Sequence, residues 1–315
     1  MAGMTGSTMA PMSSGDDNSG SELVRDHRRQ WRHCRYVYPV ISRRARGLSV
    51  GVNLNPDKRC TFACLYCQID RHAERGLRGV DLPTLRRELD LALAEAVSGR
   101  LWAEGRFAAT PPEMRRINDI AFSGDGEPTC FEEFDRAVAA AAEAKAAAGL
   151  DDVRLVVITN ASRLDSPQVA RALDILDAHR GEIWAKLDAG TEAHFRRMNR
   201  PAGGITLAKI VGDITAVASG RPVVIQTLLC RLDGAPPPDA EIDAYCRRLR
   251  EILDAGGQLR LVQVYTIARS PAEGRVSALG DAELDTLADR IRDAVGTVPV
   301  ETYYGQNVAP QPPRG

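Results

Sequence analysis

The sequence predicts an α/β fold in which a parallel sheet is covered by helices. From residue 48 onward, strand-like runs alternate with helical runs, and repeated strand–helix units imply a parallel sheet. The composition, 44% hydrophobic and 26% charged over 315 residues, is ordinary for a globular protein, and this length allows one large domain. Periodicity alone does not distinguish a barrel from a doubly wound open sheet.

The predicted strands are short strand-like runs, at 48–53, 117–123, 153–159, 183–188, 223–228, 259–266 and 298–303. Six helices lie between them, with apolar residues at the i, i+3, i+4, i+7 spacing of an amphipathic helix. Pro83 opens the first helix. Thr129 and Glu132 predict a capping box at the start of the second, and Ser166 with Pro167 starts the third.

The segments outside this core have distinct compositions. Residues 1–22 are rich in Gly, Ser, Met and Thr and predict a disordered tail, and the Pro-rich residues 306–315 are expected to be frayed. Residues 23–47 form a basic N-terminal arm before the core at 48–305. Its arginines are interleaved with aromatic residues, a pattern that can follow a phosphate backbone and stack bases. The alternative is an arm packed across the core.

Charge and cysteine usage limit the class of protein. The net charge is −1, which gives the whole chain no bias towards nucleic acid or membranes. Seven cysteines in a chain of this size do not predict a disulfide framework. No apolar run approaches the roughly 20 residues that cross a bilayer, and the first residues lack the features of a signal peptide. We therefore expect a cytoplasmic protein without a membrane partner.

Three cysteines follow the first predicted strand. Cys60, Cys64 and Cys67 have the spacing C-x3-C-x2-C, and thiolates favour iron–sulfur clusters, zinc and copper(I). A cubane cluster ordinarily takes four cysteines, so three would leave one iron open to a substrate or cofactor. A structural zinc site needs four ligands. His72 is the nearby candidate for the fourth, but its charged surroundings predict a solvated surface residue.

The loop C-x3-C-x-(aromatic)-C after a first strand resembles the signature of radical S-adenosylmethionine (SAM) enzymes. The resemblance implies that Cys60, Cys64 and Cys67 bind three irons of one 4Fe-4S cluster, that the fourth iron chelates SAM, and that Tyr66 lies near the adenine. It implies reductive cleavage of SAM to methionine and a 5′-deoxyadenosyl radical, which abstracts hydrogen from a substrate. It also implies a partial (β/α)6 TIM-like barrel, whose chemistry lies at the carboxyl ends of the strands.

Residues after the next strands fit this resemblance. The segment 123–128, Ser-Gly-Asp-Gly-Glu-Pro, resembles the Gly-Gly-Glu-Pro motif that binds the SAM amino group, which assigns Gly126 and Glu127 to cofactor binding. Asp125 stands where the first glycine is expected. Thr159 and Asn160 end the third strand, where the family places residues that reach SAM.

The later strands end in further candidate site residues. Gln226 ends the fifth strand and Tyr265 lies at the end of the sixth, and both are assigned to SAM binding. Lys186 and Asp188 alternate with apolar neighbours, so both are expected to face the barrel interior. A buried charge needs a partner or a function. These two are therefore either a structural ion pair or catalytic residues, and desolvation could lower the pKa of the lysine enough for amine chemistry.

Segments over residues 38–305 also resemble the group that includes the wyosine-forming tRNA enzymes. Those enzymes hold a second cluster through three cysteines before the barrel, where this chain has only Cys34, so one cluster is expected. A flavodoxin- or ferredoxin-type protein is expected to supply the electron. The first substrate hypothesis is a tRNA nucleoside. The alternatives are a small metabolite or peptide, and a zinc- or cluster-bearing nucleic-acid-binding protein without catalysis. Cys130, in a predicted first helical turn that favours a thiolate, is a further candidate.

Overall fold

A computed structural model of the protein describes residues 31–42, 46–70, 79–103 and 105–305. Both predicted tails, the first part of the basic arm and His72 lie outside the described residues. The division of the chain into tail, arm, core and tail stays a prediction.

An eight-stranded sheet forms the centre of the described protein, in the order β1-β2-β3-β4-β5-β6-β8-β10. Neighbouring strands from β2 to β10 are parallel, and β1 is antiparallel to β2. Each predicted strand is present, with ends shifted by at most two residues. The strands are β1 (Val37–Ser42), β2 (Gly47–Val52), β3 (Ile117–Phe122), β4 (Arg154–Thr159), β5 (Glu182–Lys186), β6 (Val223–Leu228), β7 (Arg231–Leu232), β8 (Leu259–Tyr265), β9 (Val276–Ser277) and β10 (Val300–Tyr303).

Helices connect the parallel strands, and the two-residue strands β7 and β9 pair in a separate ribbon. The helices are α1 (Leu82–Val97), α2 (Phe134–Ala147), α3 (Pro167–Ala178), α4 (Glu192–Met198), α5 (Leu207–Gly220), α6 (Asp239–Asp254) and α7 (Asp281–Val295). The sheet is curled into an open barrel that the helices cover from outside. The predicted partial barrel is therefore confirmed.

The predicted capping box at Thr129 is wrong. Thr129 lies in a short 3-10 helix, Pro128–Cys130, and α2 begins only at Phe134. The Thr129 hydroxyl donates to the Glu127 carboxylate, 2.6 Å away, instead of capping α2. The turn that follows β3 is thus held by an acid on its own segment, and this acid belongs to the candidate site.

Strand β1 was not among the predicted strands and lies in the range expected to be the arm. Glu88 of α1 fixes its start, because the carboxylate accepts hydrogen bonds from the backbone N–H groups of Arg35, Tyr36 and Val37 at 2.8–3.1 Å. Arg32 forms an ion pair with Glu95 of the same helix at 2.5 Å. The described part of the arm is therefore packed on the barrel.

Candidate functional site

The cysteine loop lies at the carboxyl ends of the strands and is held by backbone hydrogen bonds. Ala63 N–H donates to the carbonyls of Asn199 and Arg200 at 3.2 Å, and Leu65 N–H donates to Met198 at 2.8 Å. Three further bonds, Ala202 N to Thr61 O, Ala272 N to Cys67 O and Glu127 N to Arg59 O, measure 2.8–3.0 Å. The loop is thus tied to the β3–α2 turn, the α4–α5 connection and the segment after β8.

Cys60, Cys64 and Cys67 all line one cavity of about 340 Å³ in the barrel interior. Burial raises the pKa of the Cys64 thiol to about 12, so this sulfur needs a bound metal to become a thiolate at neutral pH. Within the described ranges, no three His, Cys, Asp or Glu side chains form a group that could hold one metal ion. A cubane cluster does not require its ligands to converge on one metal ion, because each thiolate binds a different iron. The soft donor set, its place on the cavity wall and its buried surroundings fit such a cluster.

Gly126 lets the β3–α2 turn approach the cysteine loop closely. A Cβ atom at this position would lie 1.9 Å from the carbonyl oxygen of Arg59 and 2.6 Å from Cβ of Asn55, distances that no side chain tolerates. Gly126 also lines the cavity. The glycine predicted to contact a cofactor therefore also has a packing role, which places the turn beside Cys60.

The Glu127 carboxylate connects the ends of β3 and β4. Its Oε1 accepts from the hydroxyls of Thr129 and Thr159, both at 2.6 Å, and its Oε2 accepts from the backbone N–H of Asn160 at 2.7 Å. The residue is 3% exposed. Burial raises the pKa of this carboxyl above its ordinary value, although the hydrogen bonds from Asn160, Thr129 and Thr159 favour the charged form. Glu127 was predicted to bind cofactor, but its side chain is engaged with protein groups.

Replacing Glu127 with Ala should lower the free energy of unfolding by about 3 kcal/mol, since each buried donor left without an acceptor costs roughly 1–3 kcal/mol. Because the folded-state pKa is raised, the stabilisation from this carboxyl is fully present below its unfolded pKa and declines as pH rises through the folded value. The difference in unfolding free energy between the wild type and Glu127→Ala should therefore become smaller as pH rises from the unfolded to the folded pKa of this carboxyl. Urea unfolding at several pH values measures it, with the exposed Glu132→Ala as control. Equal stabilities of the two variants would contradict the prediction.

The departure at Asp125 has a structural explanation. The Asn53 amide, at the end of β2, donates to the Asp125 carboxylate at 2.7 Å, and Asn53 Oδ1 accepts from the Asp125 backbone N–H at 3.2 Å. The paired amide and carboxylate join the ends of β2 and β3. Gly124 is needed beside them, because a Cβ there would lie 2.4 Å from Asn53 Oδ1.

Lys186 and Asp188, the predicted catalytic pair, belong to one cluster with Tyr66 and Tyr265, in which Asp188 is buried and the other three are partly buried. The Lys186 ammonium donates to Asp188 at 3.2 Å and to the Tyr265 hydroxyl at 2.7 Å. It also lies 5.0 and 5.1 Å from the ring centroids of Tyr66 and Tyr265. The Tyr66 hydroxyl donates to Asp188, which also accepts from the backbone N–H of Leu228. Lys186, Tyr66 and Tyr265 line the cavity, with Asp188 beside it.

The structure does not support a lysine pKa lowered for amine chemistry. Burial disfavours the ammonium, but the Asp188 carboxylate and Tyr265 outweigh it, so the pKa of Lys186 lies above its ordinary value. Lys186 therefore carries a positive charge at neutral pH. A charged lysine between two aromatic rings can bind an anionic or polar group of a ligand.

Two predicted residues at the carboxyl end of β4 also line the cavity, Thr159 and Asn160. Thr159 donates to Glu127, and the Asn160 amide donates to Thr61 at 2.9 Å and to the Cys60 sulfur at 3.7 Å. Gln226 is not brought to the cavity wall, since its amide donates to Gln263 within the barrel at 2.8 Å. Cofactor binding by these three residues stays a prediction.

Sequence reasoning missed polar residues deeper in the cavity and beside the loop. Ser49, Asp119 and Trp184 line the cavity, and Ser49 donates to the Asp119 carboxylate. Asp119 is 2% exposed, and an acid among the apolar residues of a buried strand was a signal that could have found it. Asn199, in contact with both Cys64 and Asp188, had no signal beyond its place in a resembling segment.

The predicted thiolate at Cys130 is not favoured. Cys130 lies in the 3-10 helix, not in the first turn of α2, and burial raises the pKa of its thiol to about 11. Burial likewise raises the pKa of Cys230 to about 12. Both thiols are protonated at neutral pH.

The solved structures with similar folds include a radical SAM methyltransferase from Sphaerobacter thermophilus. It superposes with a TM-score of 0.59 at 15% identity, over 85% of this chain and 69% of the methyltransferase. The chain has the fold of the radical SAM enzymes. Streptococcus suis SuiB bound to S-adenosylmethionine is also similar, with a TM-score of 0.55 at 13% identity over 82% of this chain and 52% of SuiB. At the level of fold, the resemblance drawn from the cysteine loop is confirmed.

The curated proteins that are similar in sequence match only part of this chain, which has the radical SAM fold. UPF0026 proteins of Methanocaldococcus jannaschii and Synechocystis sp. are 27% and 28% identical over 56% of the chain, which spans 48% and 57% of their lengths. GTPase Obg of Brachyspira hyodysenteriae is 24% identical over 78% of the chain, which spans 32% of that protein. The sequence has no Gly-Lys dipeptide and hence no P-loop.

No protein-family model matches the chain. In the described part, no helix is long and apolar enough to cross a membrane.

Proposed function

We propose that this protein is a radical SAM enzyme that holds one 4Fe-4S cluster through Cys60, Cys64 and Cys67. One observation carries the proposal: the three cysteines line the same barrel cavity as the Gly-Glu turn after β3 and the end of β4. A cysteine loop placed elsewhere on the fold would not support it. When bound, the reduced cluster supplies the electron that cleaves SAM to methionine and a 5′-deoxyadenosyl radical.

The chain's own residues have distinct parts in this proposal. The backbone around Gly126 offers polar groups beside the cysteine loop, while Glu127 holds the ends of β3 and β4 together. Lys186 and Tyr265 offer a positive charge and a hydroxyl to a ligand in the cavity. The barrel wall keeps water from the reacting atoms, which protects a reactive intermediate from side reactions.

The test is anaerobic reconstitution of the full chain with iron and sulfide, followed by dithionite and SAM. We expect 5′-deoxyadenosine, detected by mass spectrometry, from the wild type and from Cys246→Ala, whose sulfur lies on α6 outside the cavity. Cys67→Ala should produce none. If about four irons bind but SAM is never cleaved, the catalytic proposal fails. If only zinc binds, at one ion per chain, the protein is a binding module.

For the substrate we propose a tRNA nucleoside, with a small metabolite or peptide as the alternative. The support is the resemblance in sequence to the wyosine-forming group. Arg32 of the arm adds none, because it is paired with Glu95. Binding of tRNA that weakens as salt increases would favour the nucleoside, since phosphate contacts release counterions. A separate flavodoxin- or ferredoxin-type donor, in the reducing cytoplasm, completes the proposal.

A further inference from the structure

Asn199, directly after α4, lies between the cysteine loop and the Lys186–Asp188 cluster. Its side-chain nitrogen is 2.9 Å from the Tyr66 hydroxyl, 2.9 Å from a carboxylate oxygen of Asp188 and 3.6 Å from the sulfur of Cys64. The residue is 2% exposed. It is thus a buried amide in contact with both a cluster-ligand candidate and the cavity wall.

The orientation of this amide follows from its neighbours. An ionised Asp188 only accepts hydrogen bonds, so the nitrogen of Asn199 must face it rather than the oxygen. The oxygen, Oδ1, is buried and has no hydrogen-bond partner among the described residues. The side chain is therefore held by its donor contacts alone, and its two N–H groups are shared among three acceptors, Asp188, Tyr66 and Cys64.

We propose that Asn199 is a positioning residue that donates an N–H···S hydrogen bond to the Cys64 thiolate and thereby raises the reduction potential of the cluster. The inference rests on the proposed function. Reduction adds negative charge to the cluster and its sulfur ligands, and a hydrogen-bond donor stabilises that charge. Partners of metal ligands tune a metal site in this way.

A second amide makes a similar contact on the other side of the loop. The Asn160 nitrogen lies 3.7 Å from the sulfur of Cys60, and Asn160 comes from the end of β4. Two of the three cysteines thus accept from asparagine side chains that other elements of the barrel hold in place. Asn199 is the better test, because Asn160 was also assigned to SAM binding.

The experiment measures the reduction potential of the reconstituted full-length protein by a redox titration followed by electron paramagnetic resonance. Asn199→Leu keeps the branched shape of the side chain and removes the donor, and Asn199→Ala is a smaller variant without a donor in case the first does not fold. We expect a shift to more negative potential at unchanged iron content. The control is Asn118→Leu, at the opposite end of the sheet on β3, which should leave the potential at the wild-type value.

The outcomes separate this inference from the proposed function. A wild-type protein that takes up no iron–sulfur cluster defeats the proposed function and the inference together. Wild-type and Asn199 variants with equal iron and equal potentials overturn the inference and leave the proposed function standing. An equal shift in Asn118→Leu, or loss of iron from both folded Asn199 variants, would also overturn a tuning role.

Discussion

Cys64→Ala should lower the iron content of the reconstituted protein from about four atoms per chain to a background level, as expected for a cubane that loses one of three protein ligands. The sulfur of Cys64 is linked to Asp188 through the side-chain amide of Asn199, which contacts both. Assays of bound iron and sulfide measure the loss of the cluster, together with the visible absorbance of the oxidised cluster. The remaining two cysteines should not retain an intact cluster.

The control for this prediction is a buried cysteine outside the cavity. Cys246 on α6 is 5% exposed and, like Cys64, lies among apolar residues. Cys246→Ala should keep the full iron content, even if the loss of a buried sulfur lowers stability slightly. An iron content in Cys64→Ala equal to that in Cys246→Ala would remove the cluster assignment from this loop.

Asp188→Ala should lower the free energy of unfolding by about 3–5 kcal/mol, the range for breaking a buried ion pair on one side. The Asp188 side chain is 2% exposed and the Lys186 side chain 18%. The variant leaves the ammonium of Lys186 without its carboxylate and the backbone N–H of Leu228 without its acceptor. Because the pKa of Lys186 is raised, the contribution of the pair is fully present below the ordinary value of 10.5 and is lost only as pH rises through the folded-state value.

A double variant tests the physical cause of that loss. Lys186→Met with Asp188→Ala removes both charges and should recover part of the stability, because no isolated charge stays buried. Asp152→Ala, at a fully exposed aspartate, is the matched control and should change the unfolding free energy by less than about 0.5 kcal/mol. Chemical unfolding at pH 7 compares the variants. A double variant less stable than Asp188→Ala would contradict the explanation.

The strand pattern was predictable because the parallel strands are buried on both faces. Runs such as 154–159 and 223–228 each contain four aliphatic residues among six, so their ends could be predicted within two residues. Strand β1 was missed for a physical reason. Its sequence contains Pro39, which is tolerated only at a sheet edge, and it follows a run of arginines that indicated a solvated arm.

The candidate site was predictable where its residues lie in one motif or at a strand end. The three cysteines, Lys186 and Tyr265 could be placed on the same edge, because the carboxyl ends of parallel strands meet there. Contacts between side chains on different elements of the barrel could not be predicted from the sequence. The bonds of Asn199 to Cys64 and of Asn53 to Asp125 join residues far apart in the chain. Such contacts depend on the curl of the sheet, which no local pattern records.

The backbone hydrogen bonds of the cysteine loop have a consequence for assembly of the protein. Many small metal sites fold only when the metal binds, so the binding energy becomes folding energy. Here the amides of Ala63 and Leu65 are already paired with the α4–α5 connection. We therefore expect slow hydrogen exchange at these amides in the apo-protein. If the loop binds a cluster as proposed, insertion of that cluster would meet a loop whose backbone is already ordered, and the apo-protein should remain folded.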